Sequence, residues 1–455
     1  MRTLLDAVVG KSRSASTQTR EFSLIDFGAD TVKAVVVRKE KEGVRVLGYG
    51  FAPAEGHRLG GGRAEVAALA AITDGALVAA EDQTAPADPL PIRLPAPAAR
   101  RPDDRPTGGL RLREAMGQVS SPRGSGGKVV PDEALVCIPA RLARGESFTV
   151  RQARLSPSTP IAPREVKSAW ERLARLARER LPALSDGSGP WKPLALTPGA
   201  VLVDGHRVTD PVGLKGQELA LSAFGVAVWP SALQAAKAIA RRLDLALVDV
   251  AATPQALASL VPQREAILIE VGAEGTSLNL IQHAALVFSS WWPQGGEFFT
   301  QSMARAFRCA RDEAEALKRA YSDGALSTAD HRLAARALSQ PVAAWLETLT
   351  AGLHRIGAVE AGDGRPDMPL DVARPGWLPG HVYLTGGGSL LPDLARALAS
   401  LETMPDLSFR RSLEIEPLGS RLGPGGGGRM VLLDVPPHPA GDLLAPAISL
   451  ATCLE

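Results

Sequence analysis

Short apolar stretches alternate with amphipathic stretches along this chain. Residues 22–37 predict two strands around a tight turn, and 44–49 predict a third, because both stretches are rich in β-branched or apolar residues and Gly28 interrupts the first. The alanine- and leucine-rich residues 64–81 predict a helix, and the apolar run 133–139 predicts a buried strand. Hairpins that precede helices in this way indicate mixed α/β layers.

The same order of elements continues through the rest of the chain. Ser231 and Gln234 predict a capping box ahead of a helix. The predicted helices of this part begin at Pro163 or span 232–243, 298–320, 333–357 and 442–453, and the predicted strands span 201–203, 219–228, 266–271, 277–283 and 382–385. A hairpin with a glycine turn occurs twice, near 24–37 and 267–283, which indicates two similar lobes.

Two segments differ from this pattern. Residues 83–128 are dominated by Pro, Ala, Gly, Arg and Asp and contain no aromatic residue. Such a stretch buries too little apolar surface to offset the entropy of ordering it, so a long disordered insertion within a folded unit is predicted. Residues 1–20 are polar after a short apolar start and are expected to form a flexible tail.

Charge and cysteine content narrow the classes of function. The formal net charge is +2, with 51 basic and 49 acidic residues, so no basic footprint for nucleic acid is expected. The chain has three widely spaced cysteines, which predict reduced thiols in a cytoplasmic protein. No run approaches the roughly 20 apolar residues of a membrane span, and the N-terminus lacks the features of a secretory signal.

The first glycine turn follows an apolar strand that ends in an acid. Asp26 stands two residues before Gly28, and Ala29 follows. A turn of this kind aims backbone N–H groups at one point, which suits a phosphate, and the carboxylate suits a hydrated Mg²⁺. An ordinary hairpin turn would explain the same residues.

The second and third glycine turns strengthen the phosphate interpretation. Glu270 stands two residues before Gly272, so the first pattern repeats, and two facing hairpins would clamp a triphosphate. The third turn places three glycines, 386–388, between a strand and a helix that begins near Pro392, where bare backbone accommodates a flat base or sugar. A plain strand-to-helix loop is the alternative. Residues 425–428 are expected to be a flexible loop, and no P-loop motif is present.

Acids and turns in this order resemble the phosphate-1, phosphate-2 and adenosine motifs of actin-like ATPases. The chain most resembles the FtsA/PilM family, and within it FtsA. The segments that carry this resemblance are 203–205, 210–216, 254–259, 295–296 and 312–318. The resemblance covers nearly all of 22–455 except the insertion.

The resemblance implies an α/β actin-like ATPase fold with two RNase H-like lobes and an inserted SHS2-type small α+β domain. The implied parts are a tail (1–20), the first lobe (21–133, with the insertion at 83–128, and 226–262), the small domain (134–225), the second lobe (263–441, with a short tip at about 300–375) and a C-terminal helix packing on the first lobe (442–455).

The resemblance also implies ATP and Mg²⁺ in the cleft between the lobes. Asp26 and Glu270 would be the acids that hold the magnesium, through water, and the candidate catalytic pair. The residues expected at the nucleotide are Gly28, Ala29, Thr31, Lys33, Gly272, Ala273, Gly275, Thr276, Gly295, Glu315, Lys318, Gly386, Gly387 and Gly388. Glu315 and Lys318 share a helix face and would reach the ribose and base, although a solvated ion pair is the alternative.

Several positions depart from the family pattern. Asp30 stands where a hydroxyl residue is usual, Glu270 where Asp is usual, Glu274 where glycine is usual and Ser277 where Asp or Asn is usual. Asp30 and Glu274 would add negative charge near a polyphosphate, at a cost of a few kcal/mol each (about 4 at ~4 Å and an effective dielectric near 20) unless cations offset it. Weak nucleotide binding and at most slow ATP hydrolysis are therefore expected.

Four functions remain open on these grounds. The first is an FtsA-like, self-associating adaptor that ties a tubulin-like division protein or another divisome component to the inner face of the cell membrane. The second is a PilM-like cytoplasmic scaffold that binds a pilus assembly protein, which the short segment after Lys318 favours. The others are a nucleotide-free pseudo-ATPase and a small-molecule kinase, and a chaperone role ranks below them. Residues 2–11 are a candidate for weak peripheral membrane contact.

Overall fold

The structure, a computed structural model, describes residues 20–85, 127–184, 190–360, 377–423 and 431–454, with no side chains described for 357–360. The predicted tail up to residue 19, nearly all of the predicted insertion, the candidate membrane contact at 2–11 and the predicted loop at 425–428 lie outside the described residues.

A six-stranded sheet forms the first lobe. Its N-terminal half consists of β1 (Arg20–Phe27), β2 (Thr31–Lys39), β3 (Val44–Pro53), helix α1 (Arg63–Asp82) and β4 (Glu133–Ile138). Strands β1 and β2 pair antiparallel, β2 and β3 likewise, and β4 runs parallel to β1. The three-stranded meander at the start of the chain is therefore confirmed, and it delivers Asp26 to the end of a central strand.

A small α+β unit interrupts this lobe after β4. It consists of β5 (Ala143–Ala153), helix α2 (Pro163–Arg180), β6 (Lys192–Val203), β7 (His206–Arg207) and β8 (Glu218–Val228). The strands form one antiparallel sheet in the order β5-β8-β6-β7. Helix α2 packs on this sheet because Val166, Trp170 and Leu173 recur on one face and are buried. Assignment of this unit to the SHS2 type stays a prediction.

The first lobe resumes with helix α3 (Pro230–Arg242), strand β9 (Ala246–Ala252) and helix α4 (Thr253–Leu260), and β9 pairs parallel to β4.

The second lobe repeats the strand pattern of the first. Its elements are β10 (Ala266–Val271), β11 (Thr276–Gln282), β12 (Ala285–Trp292), α5 (Gly296–Phe307), α6 (Arg311–Ser322), α7 (Thr328–Glu360), β13 (Trp377–Leu378), β14 (His381–Thr385), α8 (Pro392–Ala399), β15 (Ser408–Phe409) and β16 (Glu414–Pro417). The main sheet has the order β12-β11-β10-β14-β16: an antiparallel meander, then two parallel strands. This matches β3-β2-β1-β4-β9, so the prediction of two similar lobes is confirmed.

The end of the chain returns to the first lobe. Strand β17 (Leu432–Leu433) adds to the outer edge of the first sheet beside β3, and helix α9 (Ala440–Ile448) buries Leu444 and Ile448 in the core of that lobe. Within the described ranges, no helix combines the length and the apolar character that crossing a bilayer requires.

Four local predictions are corrected. The helix α3 begins at Pro230, so Ser231 lies inside its first turn and donates to the carbonyl of Gly60, and no capping box forms. The predicted helix 298–320 is two helices, because Arg308 adopts a left-handed conformation between α5 and α6. The predicted helix 442–453 ends at Ile448 and continues as 3-10 turns. Strand β6 extends well before 201–203, with bulges at its two prolines.

Strands β5, β9 and β12 were not predicted. Charged, polar or small residues interrupt them, so they lack the apolar alternation that identifies strands in a sequence.

Candidate functional site

The first glycine turn joins β1 to β2 and holds an ion pair. Asp26 and Lys33 face each other in register, and the Lys33 ammonium donates to Asp26 Oδ2 at 2.7 Å. Asp26 is 4% exposed, so this carboxylate is desolvated and needs a cation beside it. A Cβ on Gly28 would lie 2.6 Å from the Thr31 carbonyl oxygen, so the turn accepts glycine only.

The second glycine turn joins β10 to β11 and has a matching acid. The Ser277 hydroxyl donates to Glu270 Oε2 at 3.0 Å, and Asn279 donates in turn to Ser277. Burial raises the pKa of Glu270 to about 7, and the nearby charge of Asp26 contributes, whereas Ser277 and Lys33 act in the opposite direction. The two acids of the two lobes therefore lie close enough to repel each other across the cleft.

Helix α5 is built directly on the second turn. The backbone N–H of Gly296 donates to the Gly272 carbonyl and that of Glu297 to the Ala273 carbonyl, both at 2.8 Å. A Cβ on Gly295 would lie 2.4 Å from the Gly272 oxygen, so glycine is required where the chain passes this turn. The turn is thus fixed by the helix that follows it in the second lobe.

Lys318 and Glu315 lie on one face of α6, as predicted, but the pair is buried. The Lys318 ammonium donates to the Gly296 carbonyl, Thr300 Oγ1 and Glu315 Oε2 at 2.7–3.0 Å. Burial acts to raise the pKa of Glu315, but Lys318 and the other donors hold it below its usual value. The alternative of a solvated ion pair is therefore wrong. A role at the ribose and base stays a prediction, and the pair already ties α6 to the start of α5.

The third glycine turn packs against the second. Gly386 has φ of +85°, and a Cβ there would lie 2.6 Å from the Val271 carbonyl oxygen. A Cβ on Gly388 would lie 2.5 Å from the Val271 side chain. The Thr385 hydroxyl and the Gly386 N–H both donate to the Asp442 carbonyl on α9. The glycines of this turn therefore allow its backbone to pack closely on Val271.

Arginines neutralise the two unusual acids of the turns. Asp30 pairs with Arg311 at 3.3 Å and with Arg319 at 3.6 Å. Glu274 pairs with Arg58 and Arg141 of the first lobe, and Arg58 also donates to the Ala29 carbonyl at 2.8 Å. The repulsion predicted for these acids is thus offset by protein cations. The pairs also connect the lobes, because each acid and its arginines lie on opposite sides of the cleft.

Sequence analysis did not identify these four arginines. Arg58 and Arg141 lie in separate connections of the first lobe, and Arg311 and Arg319 lie on α6. No motif or spacing links them to the glycine turns. The two acids Asp30 and Glu274 indicated only that cations should lie nearby, and they did not indicate which residues would supply them.

The donor set fits nucleotide-bound magnesium better than a metal held by protein alone. In the described part of the chain, no cluster of three or more His, Cys, Asp or Glu side chains is placed to bind a metal ion. Mg²⁺ commonly keeps several waters and takes one or two carboxylates plus phosphate oxygens. Asp26 and Glu270 would supply such carboxylates, and the chemistry that the metal adds when bound is neutralisation of phosphate charge.

Replacing Gly386 with alanine should destabilise the third turn more than the same change at Gly324. Both glycines have positive φ, so both variants carry a backbone cost of about 1 kcal/mol or more, and this cost is larger at Gly386, whose φ of +85° and ψ of 159° lie in a region essentially restricted to glycine. Only Gly386 has a carbonyl oxygen where the new methyl group would lie, whereas no atom lies within 4 Å at Gly324. We expect Gly386→Ala to lose about 1 kcal/mol more in urea unfolding. Equal losses would contradict the described packing of Gly386 on Val271.

Comparison with known proteins concerns the sequence and the fold of the whole chain. No protein-family model matches the chain. The cell division protein FtsA of Enterococcus faecalis is 26% identical over 278 residues, which cover 58% of this chain and 60% of that protein. FtsA of Agrobacterium fabrum is 28% identical over 141 residues, 30% of this chain and 32% of that protein. The chain thus matches less than two thirds of the length of either relative.

A solved structure covers more of the chain. The structure of the PilM-PilN type IV pilus biogenesis complex superimposes with a TM-score of 0.59 at 16% identity, covering 96% of this chain and 99% of that chain. This likeness shows the fold. The predicted resemblance to the FtsA/PilM group and the predicted actin-like α/β fold are confirmed.

Proposed function

We propose that this chain, similar to FtsA in sequence and to PilM in fold, is a scaffold that binds ATP with Mg²⁺ between its lobes. It would link a division or envelope protein to the inner face of the cell membrane and self-associate there. The observation that supports the proposal is the proximity of two acids, one from each lobe: the charge of Asp26, which precedes the first glycine turn, helps to raise the pKa of Glu270, which precedes the second. The third glycine turn packs on Val271, next to Glu270.

Separate groups of residues would bind the phosphates, the magnesium and the adenosine. Gly28, Ala29, Gly272 and Gly275 would present backbone to the phosphates, and Lys33 would add a positive charge beside them. Asp26 and Glu270 would orient the waters around Mg²⁺. Glycines 386–388 and the Glu315–Lys318 pair, all in the second lobe, would flank the adenosine. The two acids and the glycine turns would thus form a binding site that does not require rapid chemistry.

Slow hydrolysis is the expected consequence of this arrangement. A general base must take a proton from water, and Asp26 is already committed to the Lys33 ammonium. Glu270 has a pKa of about 7, which would suit a general base, but its carboxylate already accepts the hydroxyl of Ser277. We therefore infer at most a slow ATPase. The bound nucleotide would be coupled to the assembly of the scaffold and would not serve mainly as a source of energy.

A second candidate is a PilM-like scaffold of type IV pilus assembly. The superposition on the PilM-PilN complex covers nearly all of both chains, which favours this alternative. The FtsA relatives, named as cell division proteins, favour the first candidate. The two predict different partners: a tubulin-like division protein or a pilus assembly protein. Capture experiments with each purified partner would separate them.

Calorimetric titration with Mg-ATP tests the nucleotide site. We expect micromolar binding, and we expect Asp26→Ala and Glu270→Ala each to weaken it about tenfold or more, because each removes a carboxylate that would orient the metal. Asp249→Ala, at an exposed acid on β9, serves as the control and should bind as the parent protein does.

Absence of binding at millimolar ATP would contradict the nucleotide part of the proposal. The chain would then be a nucleotide-free scaffold, and the capture experiments would decide its role. Rapid phosphate transfer to a small substrate would instead indicate a kinase of the same fold.

A further inference from the structure

We propose that Arg58 and Arg141 form a binding site for a phosphate group, and that the Glu274 side chain fills this site when no phosphate is bound. The proposal rests on the proposed function only in identifying the terminal phosphate of ATP as the natural ligand. The site itself follows from three side chains: two guanidinium groups of the first lobe meet one carboxylate on the second glycine turn.

The site lies between the first and second glycine turns, where the proposed function would place the terminal phosphate. Arg58 contacts both turns: its Nη1 donates to the Ala29 carbonyl on the first, and its Nε donates to Glu274 on the second. Arg141 approaches the same carboxylate from the 3-10 turn after β4, with its Nε 2.6 Å from Glu274 Oε2. An anion between the two turns would therefore lie within reach of both guanidinium groups.

The carboxylate satisfies this site incompletely. Glu274 Oε2 is buried and lies close to Arg141, yet the contact is not aligned as a hydrogen bond. Among the described residues, Nη2 of Arg58 and Nη1 of Arg141 have no hydrogen-bond acceptor. A planar carboxylate with two oxygens thus leaves donors unused, whereas a phosphate offers three oxygens in a tetrahedral array to two planar forks.

The charge balance also favours a dianion. Two guanidinium cations contact one carboxylate directly, an excess of one positive charge in a partly buried position, and the further acid nearby, Glu65, accepts the backbone N–H of Arg58. Burial lowers the pKa of Arg141, Glu274 raises it and the like charge of Arg58 lowers it again. A group that carries two negative charges would neutralise both arginines, so phosphate is a better match for the site than the glutamate.

Removal of the negative charge of Glu274 should therefore strengthen the binding of a phosphate group at this site. Glu274→Gln keeps the size of the side chain and removes its charge, so a phosphate no longer competes with it. We expect about tenfold tighter binding of Mg-ATP and a change of less than twofold for Mg-ADP, which lacks the terminal phosphate. Arg58→Gln and Arg141→Gln should each weaken Mg-ATP about tenfold and reduce the preference for ATP over ADP.

The control is Glu297→Gln. Glu297 is as exposed as Glu274, with 30% of its side chain accessible, and it also pairs with an arginine near the cleft, Arg311. This variant should leave the ATP-to-ADP preference unchanged. If Glu274 is only a tie between the lobes, Glu274→Gln will lower the melting temperature and leave ATP affinity unaltered or weaker, and that result would overturn the proposal.

Titration with pyrophosphate separates this inference from the proposed function. If neither the parent protein nor the Glu274→Gln variant binds ATP, but the variant gains pyrophosphate binding that Arg141→Gln abolishes, the anion site stands and the nucleotide proposal fails. If the parent binds Mg-ATP through Asp26 while Glu274→Gln changes neither ATP nor pyrophosphate affinity, the nucleotide proposal stands. The proposal that Glu274 occupies a phosphate site is then excluded.

Discussion

Replacing Trp345 with alanine is expected to lower the free energy of unfolding by about 3–5 kcal/mol. Trp345 lies in the middle of α7, is fully buried, and packs in the core of the second lobe. Its indole N–H donates to Thr276 Oγ1 at 2.9 Å, and that hydroxyl donates to the Gln294 carbonyl at 2.6 Å. The substitution leaves a cavity and removes a buried hydrogen bond next to the second glycine turn.

Two further variants separate these contributions in urea unfolding. Trp345→Phe keeps most of the volume and loses only the indole donor, so we expect a smaller loss of about 1–2 kcal/mol. Trp377→Ala, at a tryptophan that is 41% exposed, should change stability by about 0.5 kcal/mol or less. An unfolding free energy of Trp345→Ala within 1 kcal/mol of the parent would contradict the described core.

The second large effect is a dependence of stability on pH that originates at Glu270. Its pKa is about 7 in the folded chain, against an ordinary value of 4.5, so the folded state holds a proton that the unfolded state releases. Between these values the folded state binds more protons, and stability therefore falls as pH rises. The difference between 4.5 and about 7 corresponds to about 3 kcal/mol at 1.36 kcal/mol per pKa unit.

Glu270→Gln should remove this dependence, because glutamine resembles the protonated acid. We expect the variant and the parent to be similar near pH 5 and the variant to be more stable by about 2–3 kcal/mol at pH 8. Urea unfolding in the two buffers measures the difference, with Asp249→Asn as an exposed control. A stability gap that stays constant between the two pH values would show that Glu270 does not titrate in this window. Bound Mg²⁺ should reduce the gap, because it stabilises the ionised carboxylate.

Local patterns predicted the parts of the site that lie on single hairpins. Asp26, Gly28, Glu270 and Gly272 were identifiable because strand, acid and glycine follow one another within a few residues. The repeat of this pattern predicted two similar lobes, and the two sheets have matching strand orders. The actin-like fold was accessible for the same reason: it is a repeated local pattern.

Contacts between distant segments were not predictable in this way. Arg141 and Glu274 are 133 positions apart, and only the closed arrangement of both lobes brings them together. Lys318 reads as a surface residue of an amphipathic helix, yet α5 covers it and three oxygens surround its ammonium. Such burial depends on the packing of one helix on another, which a sequence of charges on one helix does not encode.

The return of the chain to the first lobe has a consequence for the order of folding. Leu444, Ile448 and Leu450 are completely buried in the core of that lobe, and β17 adds to its sheet, although both follow the whole second lobe in the chain. During synthesis the first lobe therefore keeps an open core until residues 432–450 have been made. Its apolar surface is exposed throughout that time, so a chaperone that binds nascent chains would shorten its path to the native state.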